Sequence, residues 1–158
     1  MDFLKKILKS RAELDEALSR IQPNTMQKQD LIDGWSVKDL IAHIGWYERE
    51  MQLVLKQKVF KGSNLWGLEL TERNDVIFTE NKDRSLAEVV NSEEETYREL
   101  LSLLEDMPES DLNDPAAFVE MPSDWQPWSV IASNTYEHYM DHTKDLKRIA
   151  ENIGNKSW

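Results

Sequence analysis

Apolar residues in this chain recur at intervals of three, four and seven, and nowhere in the alternation of a half-buried strand. That regularity confines the fold to helices that each bury one face. In the first predicted helix, Asp2 to Arg20, the stripe is Leu4, Ile7, Leu14 and Leu18, continued by Ile21. Pro23, Asn24 and Gly34 then break the pattern. A second helix is predicted to open at Ser36, whose hydroxyl can accept a backbone N–H three residues on while Asp39 faces the dipole, and to end near Lys58. Within the irregular stretch Phe60 to Arg84 a short helix is expected at Leu70–Phe78. The third long helix is placed at Ser85–Glu105, with Leu86, Val90, Tyr97, Leu100 and Leu104 on one stripe. Met107 to Pro127 holds four of the five prolines and reads as a long crossing loop. Trp128 to Ile153 is predicted as one unbroken fourth helix, with Ile131, Tyr139, Leu146, Ile149 and Ile153 inward and Gly154 as its stop. The expected fold is all-α: a four-helix bundle with long crossover connections, one domain over residues 1–158.

Charge and composition narrow the partners. With 19 Lys and Arg against 30 Asp and Glu, the net charge is −11. Phosphate backbones would repel such a chain, and it has no concentrated basic patch, so nucleic acid is not expected. No stretch approaches the roughly 20 apolar residues that span a bilayer, and the charged, amphipathic start lacks a signal-peptide core. A soluble cytoplasmic protein acting on a small molecule is expected. There is no cysteine, so any metal must be held by histidines and carboxylates.

The chain has three histidines, His43 on the second helix and His138 and His142 on the fourth. Residues four apart stack on one helical face, so the last two imidazoles can converge on one ion. At about 100° per residue, His142 lies about 40° from His138, among the inward Ile131, Leu146 and Ile149. His43 lies at the flank of its own stripe, near Leu40 and Tyr47, and can reach the seam. Three imidazoles from two helices would leave coordination positions open, the arrangement of a catalytic zinc site. The competing account is that these histidines are hydrogen-bonded core residues.

The segments Gly34-Trp35-Ser36-Val37-Lys38-Asp39-Leu40-Ile41-Ala42-His43 and Asn134-Thr135-Tyr136-Glu137-His138-Tyr139-Met140-Asp141-His142, with Asn74-Asp75 between them, resemble the DinB-like superfamily of damage-inducible, YfiT-like four-helix bundles. The resemblance covers nearly the whole chain. It implies a divalent metal, zinc or nickel foremost, on His43, His138 and His142, and chemistry of thiol S-transfer or hydrolysis on a small electrophile in detoxification or stress response. A low-molecular-weight thiol is the implied cosubstrate, and pairing of two copies into a homodimer is common in the family. A branch of that superfamily, the ClbS and DfsB proteins, shares the Gly-Trp-Ser opening and a late Glu-His-Tyr, here Glu137-His138-Tyr139, and protects against reactive natural products without the same reliance on three histidines. His142 leans this chain toward the metal-binding side. A non-enzymatic small-ligand module is the third alternative.

Other groups are candidates from their helical phase. Glu93 falls on the inner face of the third helix and Arg11 on that of the first; Glu93 serves as a proton acceptor near the metal, or the two pair with each other. Asp141 and Asp145 lie near the histidine face, either as acceptors for an imidazole N–H or as solvated surface carboxylates, the commoner case. Tyr47, one turn beyond His43, and Asn74 are candidates for substrate contact. Trp46, Trp66, Trp125 and Trp128 either line a pocket mouth or pack in the core. Trp-Ser-Val occurs at 35–37 and again at 128–130, each time opening a histidine-bearing helix, a faint repeat that two Trp plugs at bundle ends explain as well.

Overall fold

The computed structural model describes residues 2–154; Met1 and residues 155–158 of the expected domain lie outside the described residues. In chain order the helices are α1 (Asp2–Ser19), α2 (Pro23–Met26), α3 (Val37–Gln57), α4 (Leu70–Asn81), α5 (Leu86–Asp106), α6 (Glu109–Leu112), α7 (Pro127–Ser133) and α8 (Tyr136–Gly154). Short 3-10 turns sit at Asn64–Gly67 and Pro115–Ala117. The bundle is made of the long helices in two pairs, α1 along α8 and α3 along α5, with α3 touching α8 across the core. Ile7 and Leu14 of α1, Leu40, Ile44 and Met51 of α3, Leu100 and Leu104 of α5 and Tyr139 and Leu146 of α8 are all buried there. The all-α bundle with long connections is therefore observed, although the loop after α5 is broken up by short helical turns. Among the described residues no helix is long and apolar enough to cross a membrane.

Two of the long helices start where a capping box fixes them. Asp39 N–H donates to Ser36 Oγ at 3.1 Å while Ser36 N–H donates to Asp39 Oδ2 at 2.9 Å. Ser85 and Glu88 repeat the exchange at the head of α5. Each box satisfies two backbone donors that a bare helix end would leave without partners. At the far end of α3, Lys58 takes the left-handed conformation, φ +52°, and its N–H returns to Val54 O. Close approach of α5 to α3 is permitted by Gly45, where an added β-carbon would lie 3.3 Å from Cβ and Cγ of Glu93.

The last helix departs from expectation. Trp128–Ile153 is not continuous; it breaks at Asn134 and Thr135 into α7 and α8. Polar side chains cause the break by competing for the helix carbonyls. Ser133 Oγ donates to Ser129 O at 2.9 Å, Asn134 Nδ2 to Val130 O at 2.8 Å and Thr135 Oγ1 to Ile131 O at 2.7 Å. The backbone tightens to match, with Asn134 N–H bonded to Ile131 O and Thr135 N–H to Ala132 O. Ile153 is 38% exposed rather than inward.

Candidate metal centre

The histidine site is assembled from the first two turns of α3 and the first two turns of α8. Before the Ser36 cap, Asp33 and Gly34 take φ +47° and +91° and Trp35 N–H donates to Ile32 O at 2.8 Å. Two consecutive positive-φ residues make a tight reversing turn that an Asp-Gly pair suits. It swings the Trp35 indole against His43, ring centroids 5.1 Å apart. His43 then enters from the second turn of α3, and His138 and His142 meet it from one face of α8.

The three Nε2 atoms face one another. His138 Nε2 lies 2.9 Å from His43 Nε2 and 2.8 Å from His142 Nε2, and one nitrogen from each ring lies within 4.8 Å of the others. The rings meet edge to face, at 62°, 68° and 90°. Burial and then the nearby His142 lower the His43 pKa to about 3. Burial, followed by His142 and His43, takes His138 well below the ordinary histidine value. Burial also lowers His142, against the opposing pull of Asp145 and Asp141. All three rings are thus neutral near pH 7, the form that donates a lone pair to a metal. No choice of tautomers gives both short contacts a full hydrogen bond, because the shared His138 Nε2 carries either one proton or one lone pair. A cation at the common point would engage all three lone pairs. Three neutral imidazoles suit zinc, nickel, copper or iron.

The surroundings complete a cleft. Its volume is about 470 Å³, and Trp35, Leu70, Asn74 and Asp145 line it with His43 and His142. The Tyr47 ring lies 4.8 Å from that of His43 and 4.9 Å from that of His138, and its hydroxyl donates to Asn74 Oδ1 at 3.2 Å. Asp145 Oδ2 stands 3.5 Å from His142 Nδ1, just beyond hydrogen-bond range.

The profile of the DinB superfamily matches residues 6–145. The chain belongs to the DinB superfamily. No curated protein matches it in sequence. Its shape is similar to the crystal structure of an uncharacterised protein from Escherichia coli UTI89, with TM-score 0.73 and 20% identity over 96% of this chain and 92% of that one, a likeness of fold.

In this DinB superfamily chain, Tyr47 and Asn74 join the histidines, whereas Arg11 and Glu93 do not. Arg11 is buried and forms a two-pronged pair with Glu93, Nη2 to Oε2 at 3.0 Å, with Nη1 also reaching Glu48 Oε1 at 3.2 Å. Asp15 Oδ1 accepts from Arg11 Nε at 2.8 Å, and Tyr139 Oη donates to Glu48 Oε1 at 2.5 Å. Asp141 pairs with Lys144 at the surface, 2.8 Å apart, and Asp145 holds the place beside His142 instead. The four tryptophans do not share one mouth: Trp46 and Trp66 pack on Tyr47, Trp125 on Phe60, and Trp128 lies at a separate cavity with Phe3.

Two residues escaped the sequence reading although a signal existed. Trp35 as a wall of the cleft follows from the Asp33-Gly34 turn. Glu48, with no exposed surface, lies between Ile44 and Met51 in helical phase, so its burial was readable from α3.

Proposed function

We propose that this protein is a divalent-metal-dependent enzyme acting on a small electrophile, with the ion held by His43, His138 and His142. The observation that carries the reading is the convergence of three neutral Nε2 atoms whose two short contacts no set of tautomers satisfies together. The bound ion, zinc or nickel foremost, would supply Lewis acidity, lowering the pKa of a water or of a low-molecular-weight thiol cosubstrate. Three neutral ligands leave its full positive charge in place. Asp145 would accept from His142 Nδ1–H after a shift of a few tenths of an ångström, holding the tautomer that turns Nε2 inward. Asn74, bonded to Tyr47, presents its polar edge to the cleft and would orient the substrate. Trp35, its ring packed on that of His43, would cover one side of the site. Thiol S-transfer or hydrolysis, in detoxification or stress response, is the chemistry that fits.

Elemental analysis of untagged protein purified without chelator tests the reading. About one ion per chain is expected in wild type, as a single three-nitrogen site requires, and none in the His43→Ala, His138→Ala, His142→Ala triple variant. Equal metal content in both would overturn it. Protective activity that survives chelation would move the assignment to the metal-independent ClbS and DfsB type, and tight ligand binding without turnover to a non-enzymatic module.

A further inference from the structure

Tyr47 separates the histidine cleft from a second cavity. Its hydroxyl reaches Asn74 on the cleft side, and its ring meets Trp66, centroids 5.7 Å apart, which lines the other side. That second cavity has a volume of about 550 Å³, within the range of small-molecule sites. Met51, Phe60, Trp66, Val130 and Trp125 form its apolar walls, and Lys61 stands at it as the cation.

The walls are held in place from behind. Phe60 N–H donates to Val119 O at 2.9 Å and Val119 N–H to Lys58 O at 2.7 Å, tying the two loops that carry Phe60 and Trp125. Gly62 sits so close to α3 that a β-carbon there would come within 2.6 Å of Glu50 Oε2 and 2.9 Å of Glu50 O. Trp66 Nε1 donates to Glu50 Oε2 at 2.7 Å, and the Arg73 guanidinium covers the indole face at 4.5 Å. Phe60 and Trp125 meet edge to face, centroids 5.2 Å apart at 87°, yet Trp125 remains 46% exposed. Aromatic walls fixed around an open cavity forgo dispersion contacts that a flat apolar body would restore. Among the described residues Lys61 has no carboxylate partner; its neighbour is the Phe60 ring, 5.8 Å from Nζ. In a chain of net charge −11, that ammonium is the group that would admit an anion here.

We propose that this cavity is a binding site for a small, flat aromatic molecule carrying one negative charge, separate from the histidine centre. The proposal does not rest on the metal. The two sites are nevertheless neighbours: Met51 lies one helical turn after Tyr47 on α3, and Asn134, also at the cavity, lies one turn's distance before His138. An occupant would press on Trp66 and, through it, on Tyr47, whose ring packs on His43 and His138.

The test is titration of anilinonaphthalene sulfonate into the full chain in EDTA, followed by dye fluorescence and by quenching of Trp emission. Saturable binding to the cooperatively folded protein is expected. Trp125→Ala should weaken it about tenfold, the scale of one lost aromatic contact with its buried area. Lys61→Gln should weaken it roughly threefold, as an exposed charge pair would, and abolish any loss of affinity on adding salt. Trp128→Ala, at a different cavity, and the triple histidine variant should bind as wild type does. Unchanged affinity in Trp125→Ala, or no saturable binding by folded wild type, would overturn the site. If Trp125→Ala fails to unfold cooperatively, the Lys61→Gln comparison decides, since an affinity that still falls with added salt there as in wild type would overturn the proposal. Because every arm is run in EDTA and one of them lacks the histidines altogether, their outcome is independent of the metal assignment.

Discussion

Two polar clusters interrupt the same core, and they are built on opposite terms. Around Arg11, every guanidinium nitrogen has an acceptor: Nε on Asp15, Nη1 on Glu48 and Glu93, Nη2 on Glu93. Burial would by itself lower the Arg11 pKa, but Glu93, Glu48 and Asp15 raise it above its already high value. The guanidinium is satisfied at each nitrogen and ties α1, α3, α5 and α8 together, and among the described residues Glu48 Oε2 is the cluster's one buried oxygen without a hydrogen bond. Around His138, three nitrogens face one another and no set of tautomers completes both short contacts, and Nδ1 of each ring is buried without a hydrogen bond. A closed network explains its own presence as structure. An open one asks for a ligand, which is why the metal is assigned to the histidines and not to the carboxylate-rich cluster.

The sharpest way to break that contrast is to remove the centre of each cluster. Arg11→Met leaves Glu48 and Glu93 buried without their counter-charge and should cost about 3 to 5 kcal/mol in urea unfolding. In chelated protein His142→Asn should cost less than about 1.5 kcal/mol, since no closed network depends on it. Comparable losses in the two variants would show that the histidines are structural. Added metal should act the other way round. At a concentration about 100-fold above Kd it should stabilise wild type by roughly 2.7 kcal/mol, raising Tm by about 5 to 10 °C for a chain of this size. Arg11→Met should keep that increment if it folds, and the triple histidine variant should lose it.

The clusters also predict opposite responses to pH. Burial, then the Glu93 charge, pushes Glu48 well above the carboxylate range, against Arg11 and the Tyr139 hydroxyl. Its folded pKa exceeds its unfolded value, so its contribution is whole below about pH 4.5 and is lost as pH rises toward the folded pKa. The histidines are depressed, His43 to about 3. In metal-free protein their contribution is present above about pH 6.5 and is lost as pH falls, because the unfolded chain takes up protons that the folded one refuses. Each group supplies a slope of at most about 1.4 kcal/mol per pH unit. Glu48→Gln should flatten the decline above pH 4.5 while leaving the acid-side loss intact, and the triple histidine variant should do the reverse. Urea midpoints across pH 4 to 9 read both slopes, and the same slope in both variants would remove the distinction.

Much of this was legible before any coordinates because stripes are a long-range code. Ile7, Leu14, Leu40, Leu100 and Leu146 had to be inward for any bundle to form, and they are. His138 and His142 shared that face by phase, and Ser36 with Asp39 announced the cap that starts α3 and so sets where His43 lies. The break at Asn134 and Thr135 was not legible, because it depends on whether Ser, Asn and Thr side chains outcompete backbone donors for the same carbonyls, and periodicity carries no information on that contest. Phase offered pairing of Arg11 with Glu93 as the alternative to a role beside the metal, but could not decide between the two. Both point inward, but their meeting depends on α1 and α5 being close enough for the side chains to bridge through the core.

Asp145 and Asp141 give the smallest and finest test. Side chains lean toward the N-terminus of a helix, so a residue three positions after His142 covers it. At about 100° per residue Asp145 lies about 20° from His138, and Asp141 about 60° away on the outer side. Asp145 is accordingly beside His142 Nδ1, while Asp141 is held by Lys144. If Asp145 secures the imidazole that turns Nε2 toward the common point, Asp145→Asn should weaken metal binding about tenfold, the lower end for loss of such an orienting carboxylate. Asp141→Asn should leave it unchanged. A competitive chelator titration separates the two outcomes, and it also separates orientation from overall charge, because each substitution removes one negative charge from the same helix and only one of them removes the contact.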